Sequence, residues 1–332
     1  MSSSSSPRSL GLAALLLLSA ISTRAQGQVS TAQEALLQNA IGARVEALTI
    51  LGGDFGLSDG NFHSDGGLRP GQRGDVETRV TKVGGDGDVG DPIPLNGENV
   101  GWQPRLQGNM GYLDSANHLQ SSVLAGDTSE LRTSAIEFGG GARFWTTDRL
   151  SFAPTAMILY GHTDDTYTAQ SVFGRRNLPE LRRLGLADWS IDTWTVRPAL
   201  NVQYVLTLDR AIITLSSDPT GFYTHGFSRS NIHLRVGGDS ALVTDKIDLD
   251  IPLGIELYGH ELRSGGYISR TDLLGDLETG LGVEHVNEIH GRVVADFLNQ
   301  LWKVQWLGVG ASYLWGTNIR GWTVGADVAF RF

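Results

Sequence analysis

Long stretches of the chain alternate apolar and polar residues with period two, the pattern of a strand with one oily and one polar face. Val100, Trp102, Pro104, Leu106, Gly108, Met110 and Tyr112 share one face, opposite Gln103, Arg105, Gln107 and Asn109. Trp194, Val196, Pro198, Leu200, Val202, Tyr204 and Leu206 repeat the pattern, as do Ile247 to Leu257 and Trp322 to Phe332. Aromatics sit ten residues apart on one face in three of these segments: Trp102 and Tyr112, Trp194 and Tyr204, Trp322 and Phe332. At about 3.3 Å per residue that interval is roughly 33 Å of strand. Tilted by about 40°, it spans the roughly 25 Å between the aromatic girdles of a transmembrane barrel. A soluble β-sandwich has no reason to repeat it, and its strands usually run only five or six residues.

The fold class predicted is all-β: a closed antiparallel transmembrane β-barrel, with the oily faces outward and Arg105, Glu137, Arg143, Arg197, Glu256 and Asp327 toward the lumen. Hydrocarbon offers no partner for an unpaired backbone group, so a spanning sheet has to close on itself. Strands are predicted near 99–114, 133–145, 150–164, 190–206, 210–226, 241–251, 253–265, 276–290, 303–315 and 320–332. A weaker pair near 46–60 and 74–83 brings ten strands to twelve, the favoured count. The short linkers Thr146–Arg149 and Thr207–Arg210 mark the turn end of the barrel, which places 115–131, 165–189 and 227–240 at the other end. The loop 165–189 carries Arg175, Arg176, Arg182 and Arg183, with a helical turn expected at Leu178–Leu186. Pro104, Pro154 and Pro198 fall inside strands, where each removes a ladder hydrogen bond; bulges or bond-sparing positions are expected there.

The first 25 residues read as a cleavable secretory signal: Arg8, the apolar run Leu10–Ile21, and Thr23-Arg24-Ala25 as the cleavage site. The run is too short for the roughly 20 residues a spanning helix needs. Residues 26–45 form a leader in which Ser30 and Gln33 make a capping box, with Leu37, Ile41, Val45 and Leu48 at helical spacing. This helix is expected to plug the lumen or to rest in the periplasm, the bland alternative being a frayed leader that runs into the first strand, and the barrel to occupy 46–332.

Composition narrows the chemistry. The 332 residues include 43 Gly and no Cys, which removes disulfides, thiolate metal sites and a cysteine nucleophile. A net charge of −10 argues against a nucleic-acid partner. Outer-membrane lipid is the partner expected of the oily faces, for a monomer without cofactor or metal.

The chain ends Val328-Ala329-Phe330-Arg331-Phe332. This looks like the C-terminal signature of bacterial outer-membrane barrels, and the resemblance implies that Phe332 and Phe330 are the assembly signal and the barrel-assembly machinery the partner that reads it. Three further segments carry a family likeness: Leu51–Leu57 (LGGDFGL), Trp306–Gly316 (WLGVGASYLWG) and Gly321–Val328 (GWTVGADV). The sequence resembles the solitary outer-membrane autotransporter-type β-barrels, a likeness that implies twelve strands, a helix in or near the pore, and residence in the cell outer membrane. It departs from conventional autotransporters in having only about 20 residues between the signal and the barrel, so no passenger domain is expected.

Candidate chemistry is sparse. His162, Asp164 and Asp165 fall at the loop end of one strand, where a His beside carboxylates can activate water; the bland reading is a polar rim. His225 and His260 are placed near the same rim. His63-Ser64 is a very weak hint of a barrel lipase. His285 and His290 with Glu284 and Glu288 have metal-like composition but are scattered over both strand faces. Asp86, Asp88 and Asp91 lie in a Gly/Asp-rich stretch read as a solvated turn, with calcium conceivable. The function expected is a non-enzymatic, structural, surface or translocation barrel. The alternatives are a barrel hydrolase, using His162 with Asp164 or Asp165, and a small porin.

Overall fold

The computed structural model describes residues 42–48, 56–64, 76–95, 100–118, 126–183, 187–230, 236–297 and 304–330. The expected signal, the first part of the leader and Phe332 lie outside them. A short helix, α1, covers Gly42–Leu48. Twelve long strands follow: β1 (Leu57–Ser64), β2 (Val76–Asp88), β3 (Gly101–His118), β4 (Thr128–Trp145), β5 (Leu150–Thr168) and β6 (Ser190–Leu208). They continue as β7 (Ala211–Ser230), β8 (Gly237–Leu257), β9 (His260–Gly275), β10 (His285–Asp296), β11 (Val304–Gly316) and β12 (Ile319–Phe330). Helix α2 (Val172–Arg183) lies between β5 and β6, and α3 (Asp276–Leu281) between β9 and β10. A two-residue strand, Ile93–Pro94, pads the start of β3.

Each strand pairs antiparallel with the next, and β12 returns to β1 with Ala326 opposite Leu57 and Ile319 opposite Ser64. The sheet therefore has no edge, which is what hydrocarbon demands. Outward positions are oily and uncovered: Phe138, Ile158 and Val309 are each about two-thirds exposed. Tyr112, Tyr160, Trp194, Tyr223 and Trp322 ring the outer wall toward the loop end. Trp102, Tyr204 and the stacked Phe144–Phe152 pair mark the turn end.

The prolines do not make bulges. Around Pro198 and Pro219 the β6–β7 ladder skips pairs, yet Val196↔Tyr223, Ala199↔Thr220 and Val202↔Ser217 keep one register. Pro154 likewise sits in a gap between Gly141↔Thr155 and Phe144↔Phe152. Lost hydrogen bonds are absorbed without shifting the alternation.

Four sequence-based boundaries need correction. The strand expected at 46–60 is instead the end of α1 and, further on, β1. The break expected near Pro252 falls at Tyr258-Gly259, where both residues have positive φ, as the tightest hairpin turn requires. Before β10 the chain forms α3, so 276–290 is only partly strand. Finally, β2 runs on through Gly84–Asp88, because its inward aspartates find arginines on neighbouring strands.

Candidate functional site

The lumen is built in two layers. Toward the loop end most inward positions of β1–β12 are apolar or carry hydroxyls, and α1 lies among them. Ala43, Val45, Ala47 and Leu48 form one buried cluster with Phe62, Val80, Leu113, Ala135, Leu159, Phe222 and Leu314; Leu277 and Leu281 of α3 cap it. Small wall residues make room for the helix. A Cβ added to Gly161 would stand 2.6 Å from Val45 Cγ1, and one added to Gly111 would stand 3.2 Å from Leu48 Cδ2. Hydroxyls line the same level in cross-strand pairs, Thr133–Thr163 at 3.1 Å and Thr195–Thr224 at 2.8 Å. Thr224 also donates to Glu46 Oε1 of α1 at 2.6 Å. Burial pushes the Glu46 carboxyl up to about 7; Thr224 opposes the rise, and Asp276 and Asp239 add to it.

Toward the turn end the lumen is filled by ion pairs. Arg105 bonds Asp86 and, at 3.0 Å, Asp88, which also meets Arg143 at 3.1 Å. Glu137, fully buried, takes Arg197 from two strands away and the amide of Asn109 at 2.9 Å. On the opposite wall Arg292 forks onto Asp248 at 2.9 and 2.8 Å, and Arg263 bonds Asp250 at 3.1 Å. His290 bonds Ser312 at 2.9 Å, stands 3.7 Å from Asp327 and stacks on Tyr267. A fork onto a carboxylate is among the stronger charge-assisted contacts.

The structure thus gathers Arg105, Glu137, Arg143, Arg197 and Asp327 in the lumen. Glu256 is not among them. It is exposed two residues before the Tyr258-Gly259 turn, where Gly254 at φ 66° and a register shift between Glu261 and Arg263 interrupt the alternation. Asp86 and Asp88 are arginine partners rather than a solvated turn, and Asp91 alone stays in an exposed loop. Asp248 and Asp250 fall on the polar face that the alternation of 247–257 marks; sequence reasoning missed their partners Arg263 and Arg292, whose inward parity could have marked them.

The His162 cluster points the other way, off the outer wall. His162 Nδ1 lies 2.6 Å from Asp192 and Nε2 lies 3.1 Å from Asp164, while Tyr160 donates to Asp192 at 2.8 Å. Asp165 is one residue on and therefore faces inward, bonded by Ser129 at 2.9 Å. Asp192, which the chain order hides, is the cross-strand neighbour of His162. His225 shares this face beside Trp194, whereas His260 is at the turn end, bonded to the Asp296 carbonyl at 2.9 Å. His63 is outward on β1, and His285 and His290 occupy opposite faces of β10. Phe330 closes β12.

The chain forms a closed barrel of twelve consecutive antiparallel strands with α1 in its lumen. The family model described as the solitary outer membrane autotransporter beta-barrel domain matches residues 92–325. The chain belongs to that family. Autotransporter barrels reside in the bacterial outer membrane, so the loop end faces outward and the turn end the periplasm. The transport unit of the autotransporter AIDA-I from Escherichia coli shares the fold with a TM-score of 0.52. Identity is 9%, over 88% of this chain and 99% of that one. The beta domain of the Bordetella autotransporter BrkA aligns at 0.49 with 15% identity, over 83% and 99% of the two chains. The translocator domain of NalP from Neisseria meningitidis aligns at 0.45 with 13% identity, over 90% and 96%. None of the curated proteins matches the sequence.

Proposed function

We propose that this autotransporter-type barrel is a self-plugged, non-enzymatic scaffold that holds surface segments outside the cell and does not conduct. The observation that carries this reading is α1, whose Val45, Ala47 and Leu48 are buried among inward side chains of the wall. A helix packed that way fills the pore as a core residue fills a fold, and the ion pairs on the periplasmic side close what remains. The translocation path of the related transport units is then present but occupied. The chain acts as a monomer, delivered by the barrel-assembly machinery through Phe332 and Phe330, with outer-membrane lipid around it.

Single-channel recording on the refolded protein tests the reading. The intact chain is expected to be silent, and deletion of 42–48 to produce discrete openings. Steady conductance from the intact chain would remove the proposal and restore the porin.

The hydrolase alternative has less support. A general base needs a free ring nitrogen within reach of the proton it takes. Both nitrogens of His162 already face carboxylates, an arrangement satisfied when both carry hydrogen. We read the cluster as a clamp joining β5 to β6 at the outer rim. His162→Ala is expected to leave hydrolysis of a lipid and peptide panel at background, as in the parent.

A further inference from the structure

Helix α2 stands apart from the rest of this acidic chain. Within Val172–Arg183 there are four arginines and one glutamate, in a protein whose net charge is −10. Its exposed residues are Val172, Arg175, Arg176, Pro179, Arg182 and Arg183. At 100° per residue these six fall within an arc of about 120°, so every arginine shares one face. Gly174 and Leu181 are buried on the opposite side.

The helix is fixed in place. Asp127, wholly buried, accepts bonds from the Gln170 and Ser171 amides at 2.6 Å, the Ser171 hydroxyl at 2.8 Å and the Tyr167 hydroxyl at 2.7 Å. Burial works to raise this carboxyl, but the bonds from Ser171, Tyr167 and Gln170 hold it below its ordinary range. Arg182 bonds Asp188, which in turn accepts the Tyr167 amide. Leu181 packs with Tyr167 and Ala187. Arg183 is paired with Glu180, whereas Arg175 and Arg176 have no carboxylate partner among the described residues. The backbone that carries this cationic face is therefore held by the fold and not by a ligand.

Its height selects the ligand. β5 rises eight residues past the girdle residue Tyr160, which at about 3.3 Å each and a tilt of about 40° lifts the start of α2 roughly 20 Å beyond the aromatic ring. That is past the plane of lipid phosphates. The cation pairs Arg175–Arg176 and Arg182–Arg183 repeat after seven residues, about 10 Å along the axis and close to the length of a disaccharide. Pro179 lies between them and offers an apolar plate to a sugar ring. Guanidinium forks match carboxylates and phosphates in pairs. From this we infer that the Arg175/Arg176/Arg182/Arg183 face of α2 is a binding site for a linear anionic polysaccharide at the cell surface.

The test uses the full chain reconstituted in neutral vesicles, with polygalacturonate as the probe. The parent is expected to retain it at moderate salt and release it at high salt, while neutral dextran is ignored. The variant Arg175→Gln/Arg176→Gln should bind at least tenfold more weakly, with its heat-modifiable gel migration unchanged as proof of folding. Three results would overturn the inference: no retention by the parent, equal retention by the variant, or stronger binding of single-stranded DNA or anionic vesicles than of the polyuronate.

Discussion

The outward and periplasmic halves of the lumen solve one problem by opposite means. In the outward half, α1 and the wall pack around an apolar cluster edged by hydroxyls, with Leu113, Val45 and Val80 fully buried. In the periplasmic half, arginines and carboxylates from different strands interlock. Apolar packing tolerates small errors of position, whereas a buried charge left alone is expensive. The apolar half can therefore accept a separate segment of chain, while the charged half pins the strands to one another.

The largest expected effect breaks the charged half. Glu137→Leu strands Arg197 and should cost about 3–5 kcal/mol, read as a lower urea midpoint in detergent. Adding Arg197→Met should return much of the loss, since replacing both partners removes the orphan charge. A smaller effect is expected in the apolar half. Gly161→Val drives side-chain atoms into Val45 and should cost about 1–3 kcal/mol as overpacking, with protease access to α1 rising while the strands stay protected.

A third effect is confined to α1 and sharpens the contrast. Glu46 binds its proton more tightly in the folded state, at about 7 against 4.5, so its contribution is full below about 4.5 and is lost as pH rises to about 7. Amide protection of α1 should fall over that window while β4 and β5 keep theirs. Glu46→Gln should make the protection independent of pH.

Much of this architecture could be read from residue order, because a two-residue period is a local signal. The Trp102–Tyr112 and Trp194–Tyr204 intervals give span and tilt without any contact information. What stayed hidden depends on neighbours. Gly84–Asp88 looks like a turn by composition, and only Arg105 and Arg143 across the ladder make it a strand. The Asp192 partner of His162 lies thirty positions away in the chain. The parity of Asp164 and Asp165 was available from alternation alone, yet pairing either with His162 ignored it. Helix α1 shows its periodicity plainly, but whether it rests inside or outside depends on the room left by Gly111 and Gly161.

The β1–β12 join is held over eight paired positions, against eighteen between β3 and β4. It unites the first and last strands, so it is the contact of greatest sequence separation and should form late. Since α1 precedes β1, it has to be inside before that join shuts. Assembly is then a matter of timing: a cylinder sealed too early would leave its stopper on the doorstep.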